Sequence, residues 1–130
     1  MNPYANPQAY RDSAVLTASP EQLVVMLYDG AVRFLRQAEV AMGEGAWLHS
    51  FEKLSRAEAI LDELLATLNM DTGEIAERLQ AIYIFCKKTL IEARIQRQSE
   101  KIGQVVALMS NLREGWAKLA EQAAAAPASA

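Results

Sequence analysis

A chain of 130 residues, 52% hydrophobic and 22% charged, is long enough for one domain with one core and too apolar to be disordered throughout. Its net charge of −3, with 13 Lys and Arg scattered among 16 Asp and Glu, argues against a nucleic-acid partner. No run of about 18 apolar residues offers a membrane insertion. Met1 to Tyr10 lacks the basic-then-apolar order of a signal peptide, and Cys86 has no second cysteine to bond, so the expected location is the cytoplasm.

Residues 1–18 read as a leader. Pro3 and Pro7 oppose regular structure, while Tyr10, Val15 and Leu16 supply apolar groups that could lie against a body. The first helix opens on Ser19-Pro20-Glu21-Gln22: an N-cap, a proline at the first helical position, an acid against the dipole and the Gln of a capping box. It is predicted to run to about Met42, where Gly43 and Gly45 intervene. Leu23, Val24, Leu27, Tyr28, Ala31, Phe34, Leu35 and Ala38 share its apolar face.

A second helix is predicted from about Ala46 to Leu68. Its central stripe is Phe51, Leu54, Leu61, Leu65 and Leu68, widened on one flank by Ile60 and Leu64, with Asn69 as a left-handed stop. Asp71-Thr72-Gly73-Glu74 reads as a second capping box, opening a third helix that reaches about Gln96 with Ile75, Leu79, Ile82, Tyr83, Cys86, Leu90 and Ala93 inward. Ser99 caps a fourth, whose face is Ile102, Val105, Val106, Met109, Leu112, Trp116 and Leu119. Residues 121–130 read as an Ala-rich flexible tail. Short loops make sequential helices antiparallel neighbours, so the expected fold is all-α: an up-down four-helix bundle over 19–120, with a partly ordered N-terminal leader.

Helical bundles host metals and phosphorelays, and neither pattern is complete here. A di-iron bundle needs paired Glu-x-x-His motifs, whereas this chain has the single His49; one Cys and one His do not make a zinc site. A histidine phosphotransfer domain carries Lys three residues after its His and then Gly. Here Glu52 stands in that position, Lys53 comes one place late, and a carboxylate there repels a phosphoryl group. Cys86, on a core stripe, reads as an inert thiol. Neither a catalytic set nor a Gly-rich phosphate loop appears, so the expectation is a non-enzyme without cofactor or metal.

The informative feature is surplus hydrophobicity. Ile84, Ile91 and Ile95 fall within about 40° of one another on the third helix, opposite its core stripe, where charge is the norm. Val25 and Val32 make a smaller off-core pair on the first. Full burial of one such side chain is worth about 1.5–3 kcal/mol, so a cover is expected. The leader, a second copy forming a homodimer, or a foreign apolar segment could each supply it.

The runs Ala9-Tyr10, Thr17-Ala18-Ser19-Pro20-Glu21-Gln22-Leu23 and Met26-Leu27-Tyr28-Asp29-Gly30-Ala31 resemble the signature of the flagellin export chaperones, the FliS family. Gly73-Glu74-Ile75-Ala76, Leu79, Tyr83 and Leu112-Arg113-Glu114 with Trp116 add to the likeness, which spans about Ala9 to Ala120 and is weakest between Arg94 and Gly103. The resemblance implies an antiparallel helical bundle that binds the disordered C-terminal segment of flagellin, stops it polymerising early and presents it to the flagellar export gate. It also implies that the leader can occupy part of the client surface when that surface is empty, with Tyr10 at a position implicated in that role. The resulting candidate partner-binding set is Tyr10, Val15, Leu16, Ile60, Leu64, Ile84, Ile91 and Ile95. A histidine phosphotransfer relay or a homo-oligomeric scaffold is the alternative class.

Overall fold

The structure, a computed structural model, describes residues 17–125. These form four helices, α1 (Pro20–Gly43), α2 (Trp47–Thr67), α3 (Glu74–Gln96) and α4 (Ser99–Ala125), with a short 3-10 turn at Met70–Thr72. Among the described residues there is no strand. The helices make an antiparallel bundle in which α1 packs closely on α2 and α4, and α3 closes the fourth side against the same two neighbours. Tyr10, Val15 and Leu16 lie outside the described residues. At the other end α4 runs past the boundary expected at 120, because alanine favours the helix even where it buries little.

Each helix end follows from its residues. At α1 the capping box forms in full: the Gln22 amide donates to Ser19 Oγ at 3.2 Å, and the Ser19 amide donates to Gln22 Oε1 at 2.8 Å. Gly45, at φ 77°, then turns the chain into α2. No side chain caps α2, which is tied to α1 by a buried hydrogen bond from Ser50 Oγ to the Ala38 carbonyl at 2.8 Å.

The junction between α2 and α3 departs from the sequence reading. Asn69 is extended rather than left-handed, and its side chain accepts from the Asp71 amide at 3.1 Å to start the 3-10 turn. That turn occupies Asp71 and Thr72, so the expected Asp71–Glu74 capping box does not form. Gly73, at φ 90° and ψ −135°, takes the N-cap place of α3 without a side-chain bond, a conformation open to glycine. At the far end of α3, Arg97 adopts the left-handed conformation, φ 53°, and its guanidinium lies 4.6 Å from the Trp47 ring centre.

The core holds Leu35, Leu54, Leu61, Leu90, Ile102 and Met109, all fully buried. Small residues on α1, notably Ala31, Ala38 and Gly30, let the neighbouring helices approach; a Cβ on Gly30 would stand 3.3 Å from Ile60 Cδ1. Two tyrosines bridge the diagonal between α1 and α3. The Tyr28 and Tyr83 hydroxyls hydrogen-bond to each other, with ring centres 6.4 Å apart and planes tilted by 49°. Burial pushes both phenols up from their ordinary pKa, and for Tyr28 the bond to Tyr83 adds to the rise.

Ion pairs mark the seams. Arg113 meets Asp29 at 2.9 Å between α4 and α1, and Lys101 meets Glu92 at 3.0 Å between α4 and α3. Lys87–Asp62 and Arg94–Glu58, the latter at 3.1 Å, join α3 to α2. The Glu58 carboxyl sits above its usual pKa because burial outweighs the attraction of Arg94.

Candidate protein-binding surfaces

Two apolar surfaces stand out, and both involve α3. The first is a cleft of about 530 Å³ at the end of the bundle where α1 and α3 begin and α2 and α4 finish. Leu23 and Leu27 of α1, Leu68 after α2, Ile75 and Leu79 of α3 and Trp116 of α4 form its walls. Tyr83 lies at its base, beside the diagonal phenol pair. Ile75 was expected in the core, since it shares the angular position of Ala93. It is 72% exposed, because it sits in the first turn of α3, at the rim of this cleft. Leu119, expected inward on α4, is likewise half exposed near that helix's end.

The second surface is a shallow groove between α2 and α3. Ile84 and Ile91 line it, with Leu65 on the α2 side and the stems of Lys87 and Lys88 along it. Ile95 continues the stripe one turn further. Ile84, Ile91 and Ile95 are 54%, 48% and 75% exposed, so the stripe read from spacing does face solvent. Leaving Ile84 and Ile91 about half uncovered forgoes on the order of 1 kcal/mol for each. Phe85, next to Ile84, is half exposed as well and was not picked out by the stripe.

Two α2 residues of the candidate set do not join this groove. Leu64 is 2% exposed and belongs to the core, touching the end cleft from inside. Ile60 is half-buried against Gly30 of α1, on the other flank of α2. Leu65, which periodicity assigned to the central stripe, takes the place expected of them. The reason is geometric: both flanks of α2 are apolar, and only the position of α3 decides which one borders the isoleucines.

The chemistry of these surfaces is that of adhesion. Cys86 is fully buried, and desolvation lifts its thiol to about 11, so it is no nucleophile. His49 is exposed on α2, and among the described residues no group of three or more His, Cys, Asp or Glu could hold a metal ion. No described helix is long and apolar enough to cross a membrane. What remains is apolar area bordered by the side chains of Lys87 and Lys88, suited to an apolar segment of another chain.

Comparison with known proteins agrees with this geometry. The family model described as "Flagellar protein FliS" matches residues 2–123. The chain is 36% identical to the flagellar secretion chaperone FliS of Salmonella typhimurium over 114 residues, covering 86% of this chain and 84% of that protein. It is 31% identical to the flagellar secretion chaperone FliS of Bacillus subtilis over 115 residues, covering 88% and 84%. A solved structure described as a flagellar chaperone from bacteria superposes with a TM-score of 0.75 at 21% identity, over 88% of this chain and 97% of the other, which bears on the fold alone. These relatives are named as chaperones and not as enzymes. Bundle, apolar surfaces and sequence agree: the chain belongs to the FliS family of flagellar proteins.

Proposed function

We propose that this protein is an export chaperone for flagellin. It binds the disordered C-terminal segment of newly made flagellin in the cytosol, keeps that segment from polymerising and hands it to the flagellar export gate. The observation that carries this reading is the half-exposed isoleucine stripe on α3 in a chain that belongs to the FliS family. A segment that polymerises through apolar helices needs an apolar surface to rest on. Ordering it on binding is unfavourable, so a long groove serves better than a pocket. The groove between α2 and α3, with Ile84, Ile91 and Ile95, offers such a surface, and the end cleft extends the apolar area. Tyr10, Val15 and Leu16 of the leader are proposed to share it.

Calorimetric titration with a flagellin C-terminal peptide tests the reading. Saturable binding is expected, weakened at least tenfold by Ile91→Asp while helicity by circular dichroism is unchanged. Absence of binding to the parent protein would remove the client. Equal affinity for the variant would remove the stripe from the site. Hydrogen exchange on the complex then shows which amides the peptide protects.

A further inference from the structure

A second feature lies on the other flank of α2, away from the isoleucine groove, and the chaperone reading does not use it. Three cations converge on one ring. The guanidinium of Arg33 lies 5.4 Å from the Phe34 ring centre, Lys53 Nζ 5.6 Å and the guanidinium of Arg56 5.7 Å. One turn further along, Arg36 and His49 border a shallow depression with the 59%-exposed Val40. Of these cations Arg56 has a carboxylate partner, Glu52 at 3.5 Å, and Glu44 stands at the rim of the depression. Arg33, Arg36 and Lys53 make no ion pair among the described residues, although the chain as a whole is acidic with a net charge of −3.

Like charges repel, and in an acidic protein the carboxylates could have been set among them. At each of the other seams they were: Asp29, Asp62, Glu58 and Glu92 each neutralise the cation facing them. On the outer face of α1 and α2 the ring holds the cations together instead, because its negative face attracts each of them. At an exposed site each such contact is worth about 0.5–1 kcal/mol, enough to bias the three side chains toward the ring and to lower somewhat the ordering penalty of engaging an anion.

We propose that this face docks an acidic segment of a partner protein, its carboxylates between Arg33, Arg36, Lys53 and Arg56 and an adjoining apolar side chain over Val40. Charge complementarity identifies the occupant. A long polyanion is disfavoured, since the patch is short, flanked by Glu44 and Glu52, and carried by a negatively charged body. A short peptide with few carboxylates meets less of this repulsion, and its apolar residues gain the contact with Val40. The inference does not rest on the isoleucine groove, and the two surfaces lie on opposite flanks of one helix.

The test is fluorescence anisotropy with a short labelled peptide of alternating Glu and Leu, a matching Lys–Leu peptide, a single-stranded oligonucleotide and vesicles containing phosphatidylserine. The expected result is binding of the Glu–Leu peptide alone, at least tenfold weaker in 0.5 M than in 0.05 M salt. Charge reversal in Arg33→Glu with Lys53→Glu should weaken it at least tenfold, and the milder Arg33→Gln with Lys53→Gln severalfold. Ile91→Asp should leave it unchanged, and the charge-reversed variant should keep its affinity for the flagellin peptide. Failure of the Glu–Leu peptide to bind, indifference to both double substitutions, or preference for the oligonucleotide or vesicles would each overturn the proposal. Circular dichroism of the substituted proteins confirms that a loss of binding is not a loss of fold.

Discussion

The helices α1 and α3 have nearly the same length, 24 and 23 residues, and face each other across the core, yet they do different work. α1 buries one face between two close neighbours: Tyr28, Ala31, Leu35, Ala38, Ala41 and Met42 are all covered, and its exposed side mixes Asp29, Arg33, Arg36 and Gln37 with the scattered apolar Leu23, Met26 and Val40. α3 buries Tyr83, Cys86, Leu90 and Ala93 on one side and shows Ile84, Ile91 and Ile95 on the other. Its apolar residues therefore nearly cancel around the helix axis. One helix spends most of its apolar side chains on its own bundle and leaves only isolated ones outside. The other is apolar on two sides and leaves one of them unsatisfied, which is how a small domain gains adhesive area without unfolding.

The largest expected effect breaks the symmetry of length. Leu35→Ala should destabilise the protein by about 2–5 kcal/mol, since it opens a cavity where the side chain is fully buried. Ile84→Ala, on the half-exposed flank of α3, should cost about 1 kcal/mol or less. Urea denaturation of both variants measures the contrast, and comparable losses would mean that α3 has no free face.

A smaller effect tests the diagonal contact between the two helices. Tyr28→Phe should cost about 1–3 kcal/mol, because Tyr83 keeps a buried hydroxyl without its partner. Tyr28→Phe combined with Tyr83→Phe should be less destabilising than the sum of the single changes. Strict additivity in this double-mutant cycle would show that the hydroxyls do not interact.

The smallest concerns Glu58. Its folded pKa is raised, so its protonated form is the one that folding favours. Its contribution to stability is therefore greatest below the ordinary carboxylate pKa and falls as pH rises through the folded value. Glu58→Gln, which stays neutral, should gain on the parent protein as pH increases from 4 to 7. Thermal unfolding at both pH values reads the sign. A gain that shrinks over that interval would mean that the Arg94 attraction outweighs burial.

Local signals were the most legible part of the sequence. Ser19 and Gln22 are three residues apart and need nothing distant to find each other, so their capping box forms as read. Asp71 and Glu74 have the same spacing, but Asn69 competes for the Asp71 amide and Gly73 permits a sharper turn. The isoleucine stripe was legible because spacing on one helix determines a face. Which flank of α2 borders it was not, because that depends on where α3 stands, and so Ile60 and Leu64 were named in place of Leu65. The cations around Phe34 were hidden for a similar reason. Arg33 and Lys53 are twenty residues apart and meet only once α1 and α2 are side by side.

The lone thiol gives this molecule a built-in reporter. Cys86 is fully buried on the inner side of α3 and, at about 11, stays protonated near neutrality. An alkylating reagent therefore reacts only during the moments when the bundle breathes enough to admit it. With a single cysteine in the chain, each labelling event has one address. The labelling rate thus reports what fraction of the time that thiol is exposed, and its slowing on addition of a ligand would register binding without any tag.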